Sequence, residues 1–168
     1  QFMHHYLWDK YLPTPPALVT LYQNGKKIDA VTQTTKNGMV YVFERETGKP
    51  VFDIEEISVD TVSELEGEKV WPTQPIPVKP APFSRQTLTL DDLNPYVHDT
   101  TRSKLYREML GYRFGSMFIP PGKTPSLIFP GYDGGGEWGG PAFDPATGVL
   151  YVNANEMPWI LQMVDVRM

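Results

Sequence analysis

The sequence has no cysteine. That excludes a disulfide framework and a thiolate metal site. No apolar run approaches the ~20 residues of a membrane-spanning helix. A basic stripe is missing: 15 Lys and Arg stand against 20 Asp and Glu, for a formal charge of −5. Nucleic acid and anionic membrane are therefore poor partners. The three histidines, His4, His5 and His98, have no zinc-type spacing. A serine nucleophile elbow is absent. Gly134-Gly135-Gly136 is not followed by Lys-Ser or Lys-Thr, so it is no phosphate loop and reads as a flexible run. No secretory-leader pattern is visible in these residues.

What is there is globular. Hydrophobic residues make up 40% and aromatics 12% of the 168 positions, enough to build a core. A domain of this size buries roughly 70% of its unfolded surface. Proline (17) and glycine (14) are too many for a helical bundle and too few for a low-complexity chain. The chain opens inside an apolar stretch at Gln1-Phe2-Met3 and closes on a strand-like run, residues 159–164. Both ends suggest a piece of a longer chain, with open sheet edges prone to self-association.

Residues 17–59 read as a meander of short antiparallel strands. Residues 17–22 form a β-branched and aromatic run, closed by the hairpin pair Asn24-Gly25. Residues 27–34 follow, then a second hairpin pair, Asn37-Gly38, then residues 39–44. Thr47-Gly48 turns the chain into a fourth strand beginning at 50–54. Residues 71–82 carry prolines at alternate positions and read as polyproline-type backbone without a ladder, either a surface crossing or a ligand for a polyproline-reading domain. Thr89 is a candidate N-cap before Asp91 and Asp92. Residues 101–110 predict a helix with Leu105, Met109 and Leu110 on one face, a Lys104–Glu108 pair and Gly111 as C-cap. Strands return at 126–130, 141–144, 149–153 and 159–164. The organisation expected is residues 1–59 as one sheet unit, 60–125 as a Pro-rich and helical insertion, and 126–168 as a second sheet unit.

An internal repeat links the two sheet units. Phe43-Glu44-Arg45-Glu46-Thr47-Gly48 matches Phe143-Asp144-Pro145-Ala146-Thr147-Gly148. The acid and Thr satisfy turn amides, and Gly takes a positive φ. Two such hairpins suggest repeated sheet units that stack, with a β-propeller as the closed solution. The fold class is thus mainly β: antiparallel four-stranded meanders, a partial propeller, with a small helical and Pro-rich insertion.

Few residues carry chemistry. Asp9 sits beside Trp8 and two histidines, either as a turn aspartate at an aromatic sheet edge or as a carboxylate tuned by its surroundings. Lys36 precedes Asn37-Gly38, either as an exposed turn lysine or as a functional cation. Trp138 and Gly139 stand in a glycine-framed loop, where the indole either packs locally or stacks on a flat ligand.

Taken in order, His4-His5-Tyr6-Leu7-Trp8-Asp9, Gly25-Lys26-Lys27, the stretch from Lys36-Asn37-Gly38 to Thr47-Gly48, residues 72–80, residues 88–93, residues 138–145 and residues 148–156 resemble the PQQ-dependent dehydrogenases, in particular the membrane-glucose-dehydrogenase-like quinoproteins. The resemblance spans nearly the whole chain. It implies about two blades of an eight-bladed propeller, completed by the remaining blades. It implies PQQ near the propeller axis with Ca²⁺ or Mg²⁺, most of whose ligands fall outside this chain. Asp9 matches the catalytic aspartate, which takes the proton of a substrate hydroxyl while hydride passes to the quinone, and it is also the implied metal ligand. Lys36 matches the basic residue that hydrogen-bonds the reactive quinone carbonyl. Trp138 and Gly139 fall in the cofactor-proximal loop. Two departures are present: Tyr6, where the family carries an acidic or polar residue, and Lys10-Tyr11 in place of a Tyr-Asp pair.

The implied function is oxidation of a sugar or alcohol hydroxyl, with electrons leaving to a quinone or cytochrome c. The implied location is periplasmic or secreted, and the piece alone is expected to be inactive. The alternatives are a non-catalytic propeller-type binding module and a stand-alone β domain with a helical insertion.

Overall fold

The computed structural model describes residues 1–5 and 7–166. Tyr6, one of the two departures, lies outside them. The chain is mainly β, with nine strands and one α-helix among the described residues. No described helix is long and apolar enough to cross a membrane.

Strands β1 (Ala17–Gln23), β2 (Lys26–Thr34) and β3 (Val40–Glu44) form an antiparallel sheet in that order. The β1–β2 turn is Asn24-Gly25, with φ of 51° and 74°. This is the left-handed pair that a two-residue hairpin needs, and it explains why Asn and Gly stand there. Strand β3 is buried on both faces. Val40 and Val42 join Val19 and Ala30 in one core; Met39 and Tyr41 join Met3, Trp8, Met117 and Phe118 in another. The two-residue period of a strand sends alternate side chains into the two cores.

The fourth strand departs from the expected meander. The chain runs back along the end of β3 for a short stretch, through the Phe43–Pro50 bridge, the Glu44 N–H to Lys49 carbonyl bond and the Val51 N–H to Val42 carbonyl bond. It then leaves as β4 (Ile54–Ser58) and pairs with β5 (Thr73–Pro77). This corrects the reading of residues 71–82 as backbone without a ladder. The period of the prolines explains the correction. Val78 donates to the Asp53 carbonyl and Pro72 accepts from Val59, so even-numbered residues face β4. Pro75 and Pro77 face the other way, where no ladder donor is required. On that outer side the Pro75 carbonyl accepts from the buried Tyr41 hydroxyl at 2.7 Å. Gln74, fully buried, exchanges two 2.9 Å bonds with the His4 backbone. The ladder joins residues assigned to the first sheet unit with residues assigned to the insertion.

The helical segment follows the sequence with adjustments. Thr89 and Asp92 form a capping box around a single 3₁₀ turn, Leu90–Asp92. The helix α1 spans Asp99–Met109, and Lys104 and Glu108 stand 3.8 Å apart on it. Its apolar face is narrower than expected: Met109 is buried with Leu127 and Phe129, while Leu105 and Leu110 are exposed. The C-cap is Leu110, with Gly111 donating to the Glu108 carbonyl just beyond it.

The last strands form two ribbons, β6 (Ser126–Ile128) with β9 (Trp159–Leu161) and β7 (Pro141–Asp144) with β8 (Val149–Val152). Phe143 and Leu150 pack on the Val19–Ala30 core, which brings β7–β8 against the first sheet. The repeated turns are built alike. Gly48 and Gly148, at φ of 70° and 71°, donate to the Glu44 and Asp144 carbonyls. Thr47 and Thr147 hydroxyls donate to the same acids at 2.6 and 2.7 Å.

Candidate active site

Asp9 is presented by a tight turn. Trp8 is buried and its indole N–H donates to the Ile119 carbonyl at 2.8 Å. Lys10, only 2% exposed, is buried on the other side, and its backbone N–H closes the turn on the Trp8 carbonyl at 2.7 Å. With both neighbours turned inward, the Asp9 carboxylate is left outward with 44% of its surface accessible.

Lys36 follows β2 at the start of the β2–β3 turn. It is not the exposed turn lysine that its position in a hairpin allows: its side chain is only 4% exposed. Nζ donates to Asp9 Oδ2 at 3.0 Å and to the Tyr132 carbonyl at 2.7 Å. Glu137 Oε1 lies 3.4 Å away, and the ammonium sits 4.2 Å from the centre of the Tyr11 ring. Burial alone depresses its pKa; the Asp9 hydrogen bond and the charges of Asp9, Glu137 and Tyr11 outweigh that and hold it above the usual lysine value. Lys36 is thus a fixed positive charge with a carboxylate at hydrogen-bond distance.

The second lysine behaves oppositely. Lys10 Nζ donates to the Pro130 carbonyl and stands 3.4 Å from that of Gly131. Burial, then repulsion from Lys36, lowers its pKa to about 8, against a smaller upward pull from Asp9. Burial and the nearby Asp9 charge raise the Tyr132 phenol.

The loop from 130 to 140 completes the cluster. The run Gly134-Gly135-Gly136 is not a flexible tether. Gly135 donates to the Lys36 carbonyl at 2.7 Å and Gly136 to that of Thr35 at 3.0 Å. A Cβ on Gly135 would lie 2.6 Å from Gly38 Cα, so close backbone approach explains glycine there. Glu137 follows directly and reaches Lys36. The next residue, Trp138, is 76% exposed, so its indole does not pack within the loop. Gly139 has open space where a Cβ would stand, and it lines a cavity of about 230 Å³ with Thr14, Thr34 and Asn155.

The structure therefore brings Asp9 and Lys36 together and puts Trp138 and Gly139 on the loop whose Glu137 touches Lys36. Lys10, Glu137 and Tyr132 belong to the same cluster and were not singled out as site residues from the sequence. The Lys10-Tyr11 departure was the one signal pointing to Lys10. The Tyr132 contact bridges a separation of 96 residues and left no local pattern.

PQQ is an anionic, planar group. A buried cation with an exposed indole and a bare glycine backbone on the adjoining loop fit such a group. A metal fits less well. Among the described residues no cluster of three or more His, Cys, Asp or Glu side chains is placed to hold an ion. Asp9 stands apart from other carboxylates and imidazoles with an ammonium on Oδ2, so these residues do not form a metal site by themselves.

These features define a β-propeller piece carrying a carboxylate–ammonium pair at a glycine-rich loop. The PQQ family model, described as "Glucose/ethanol/alcohol dehydrogenase, beta-propeller domain", matches residues 1–167, and the chain belongs to that family. It is similar to a probable quinate dehydrogenase (quinone) of Xanthomonas campestris pv. juglandis, 34% identical over 98% of this chain and 21% of that protein. It is equally similar, at 34% identity, to a quinoprotein glucose dehydrogenase of Gluconobacter oxydans, over 98% of this chain and 20% of that one. A quinate/shikimate dehydrogenase (quinone) of Acinetobacter baylyi is also 34% identical, over 96% of this chain and 20% of its own length. The chain spans about a fifth of the length of these curated relatives.

Proposed function

We propose that this chain is the part of a quinoprotein dehydrogenase that supplies the general base and the cationic partner of the cofactor, in a protein that oxidises the hydroxyl of a sugar, polyol or hydroxy acid. The observation that carries the reading is the 3.0 Å contact between Lys36 Nζ and Asp9 Oδ2. When bound, PQQ supplies the two-electron acceptor for the hydride of the substrate's carbinol carbon. Asp9 receives the hydroxyl proton, a role that requires hydrogen-bond reach and an accessible carboxylate. Lys36 holds positive charge where negative charge develops and needs no reorganisation to do so. Trp138 and Gly139 offer a stacking surface and an unobstructed backbone to a flat ligand.

The relatives' names favour hydroxyl substrates of the quinate, glucose and glycerol kind. Two of those names carry the word quinone, which favours a quinone over cytochrome c as electron acceptor. The remaining blades come from chain beyond these residues, and the isolated piece is inactive in this reading. A periplasmic or secreted location goes with it, testable by fractionation of the full-length protein.

The test is titration of the full-length protein with PQQ, followed by absorbance and calorimetry, then a dye-reduction assay with quinate, glucose and glycerol. PQQ binding with turnover of at least one hydroxyl substrate is expected. A full-length protein that binds no PQQ supports a propeller scaffold used as a binding module instead.

A further inference from the structure

Two lysines grip one loop by three successive carbonyls. Lys10 Nζ takes Pro130 and approaches Gly131, and Lys36 Nζ takes Tyr132. Lys10 is as buried as Lys36, although its partners are neutral carbonyls and Asp9, next to it in the chain, turns its carboxylate to Lys36. A buried ammonium costs more than an apolar side chain of the same length unless charge pairing and hydrogen bonds offset its desolvation, and Lys10 has only neutral carbonyls to do so. Its hydrogen bonds fix the near end of the loop. The far end is fixed by Gly135 and Gly136 on the Lys36 and Thr35 carbonyls. Between these two anchors lies Tyr132 O, and just past the second lies Glu137; both loop groups meet the Lys36 ammonium, as Asp9 does from its own turn.

We propose that Lys10 is a positioning residue: by holding residues 130 and 131 it sets the Tyr132 carbonyl against Lys36, and so fixes Lys36 against Asp9. The inference rests on the reading of Asp9 and Lys36 given above. Lys10 touches neither substrate nor cofactor in this account. It acts through the loop, and the turn that buries it also turns Asp9 outward.

The experiment uses the full-length protein loaded with PQQ. Lys10→Met, Lys10→Gln, Lys10→Arg and Lys36→Ala are compared for melting temperature, PQQ affinity by calorimetry, the absorbance of bound PQQ, and kcat and KM per folded, loaded site. Lys10→Met is expected to lower kcat about tenfold or more, since small misplacements at a reacting centre carry large rate penalties. KM should change less than kcat, and the bound-PQQ spectrum should shift. Lys10→Arg, which keeps charge and donors, should recover kcat to within about threefold of wild type. Lys10→Gln, with one amide donor, should fall between. If kcat per loaded site and the spectrum are unchanged in Lys10→Met or Lys10→Gln, the proposal is overturned. If neither neutral variant folds, Lys10 is structural and the proposal falls as well. Lys36→Ala separates the two levels: a normal rate there sinks the underlying reading, whereas a depressed rate beside a normal Lys10→Met rate sinks only the inference about Lys10.

Discussion

Lys36 Nζ and Asp9 Oδ2 stand 3.0 Å apart although 27 residues separate them in the chain. Each reaches that position through a different device. Asp9 is turned outward because Trp8 and Lys10 are both buried beside it. Lys36 is turned inward because Gly134, where a Cβ would collide with Lys36 Cγ, packs on its side chain and Tyr132 offers a carbonyl at 2.7 Å. The pair is therefore a product of packing around two tight turns.

The glycine run gives a direct test of that packing. A Cβ on Gly135 would meet backbone at Gly38 Cα, 2.6 Å away, and Ser84 Oγ at 2.8 Å, whereas Gly139 has nothing within 4 Å. Gly135→Ala is expected to cost about 1–3 kcal/mol, the usual range for overpacking. Gly139→Ala should change stability by no more than about 0.5 kcal/mol. Denaturant melts of the two variants check this; equal stabilities would contradict the close approach.

The proline-bearing strand depends on polar anchors as well as on its ladder. Gln74 is buried and exchanges two bonds with the His4 backbone. Gln74→Leu strands both of those backbone groups, and leaving a buried polar group without a partner costs about 1–3 kcal/mol. Hydrogen exchange should show β4 and β5 opening more readily in this variant while β1–β2 keeps its protection. Uniform loss across all strands would count against an anchor local to β5.

The repeated turn makes a pH-dependent prediction. Hydrogen bonds from the Thr147 side chain and the Ala146 backbone hold the Asp144 carboxyl below its ordinary 3.8. A carboxyl lowered by folding contributes stability above its unfolded value and loses that contribution as pH falls through the folded one. Wild type should therefore melt higher than Asp144→Ala at neutral pH, with a gap that narrows in acid only below the ordinary carboxyl range. Because the side chain is solvent-exposed the gap should be small. A gap independent of pH would show that the hydrogen bonds do not require the carboxylate.

Much of the β architecture was legible in the sequence because its signals are local. Asn24-Gly25 fixes one hairpin through two left-handed residues. The Phe-acid-x-x-Thr-Gly repeat encodes the same hydrogen bonds twice. The β5 ladder was not legible. Prolines at alternate positions look like a ladder breaker until the facing side is known, and that depends on Asp53 and Val59. The triple glycine misled in the same way: without Gly38 and Lys36 across from it, tight packing and flexibility have one composition. At the site, Asp9 and Lys36 were found through a family resemblance. Lys10 and Tyr132 enter through contacts that span about a hundred residues, Lys10 to Pro130 across 120 and Lys36 to Tyr132 across 96.

The central claim is that Asp9 and Lys36 act on one substrate–cofactor pair. The measurement that tests it most directly is kcat of the full-length, PQQ-loaded protein with Asp9→Asn and with Lys36→Ala, beside melting temperature and PQQ affinity. Asp9→Asn is expected to lower kcat by about 10²-fold or more with PQQ still bound, in the range of a lost general base. Lys36→Ala is expected to lower it by about 10²-fold as well, with PQQ affinity also weakened. Two folded, PQQ-loaded variants that turn over at the wild-type rate would contradict the account.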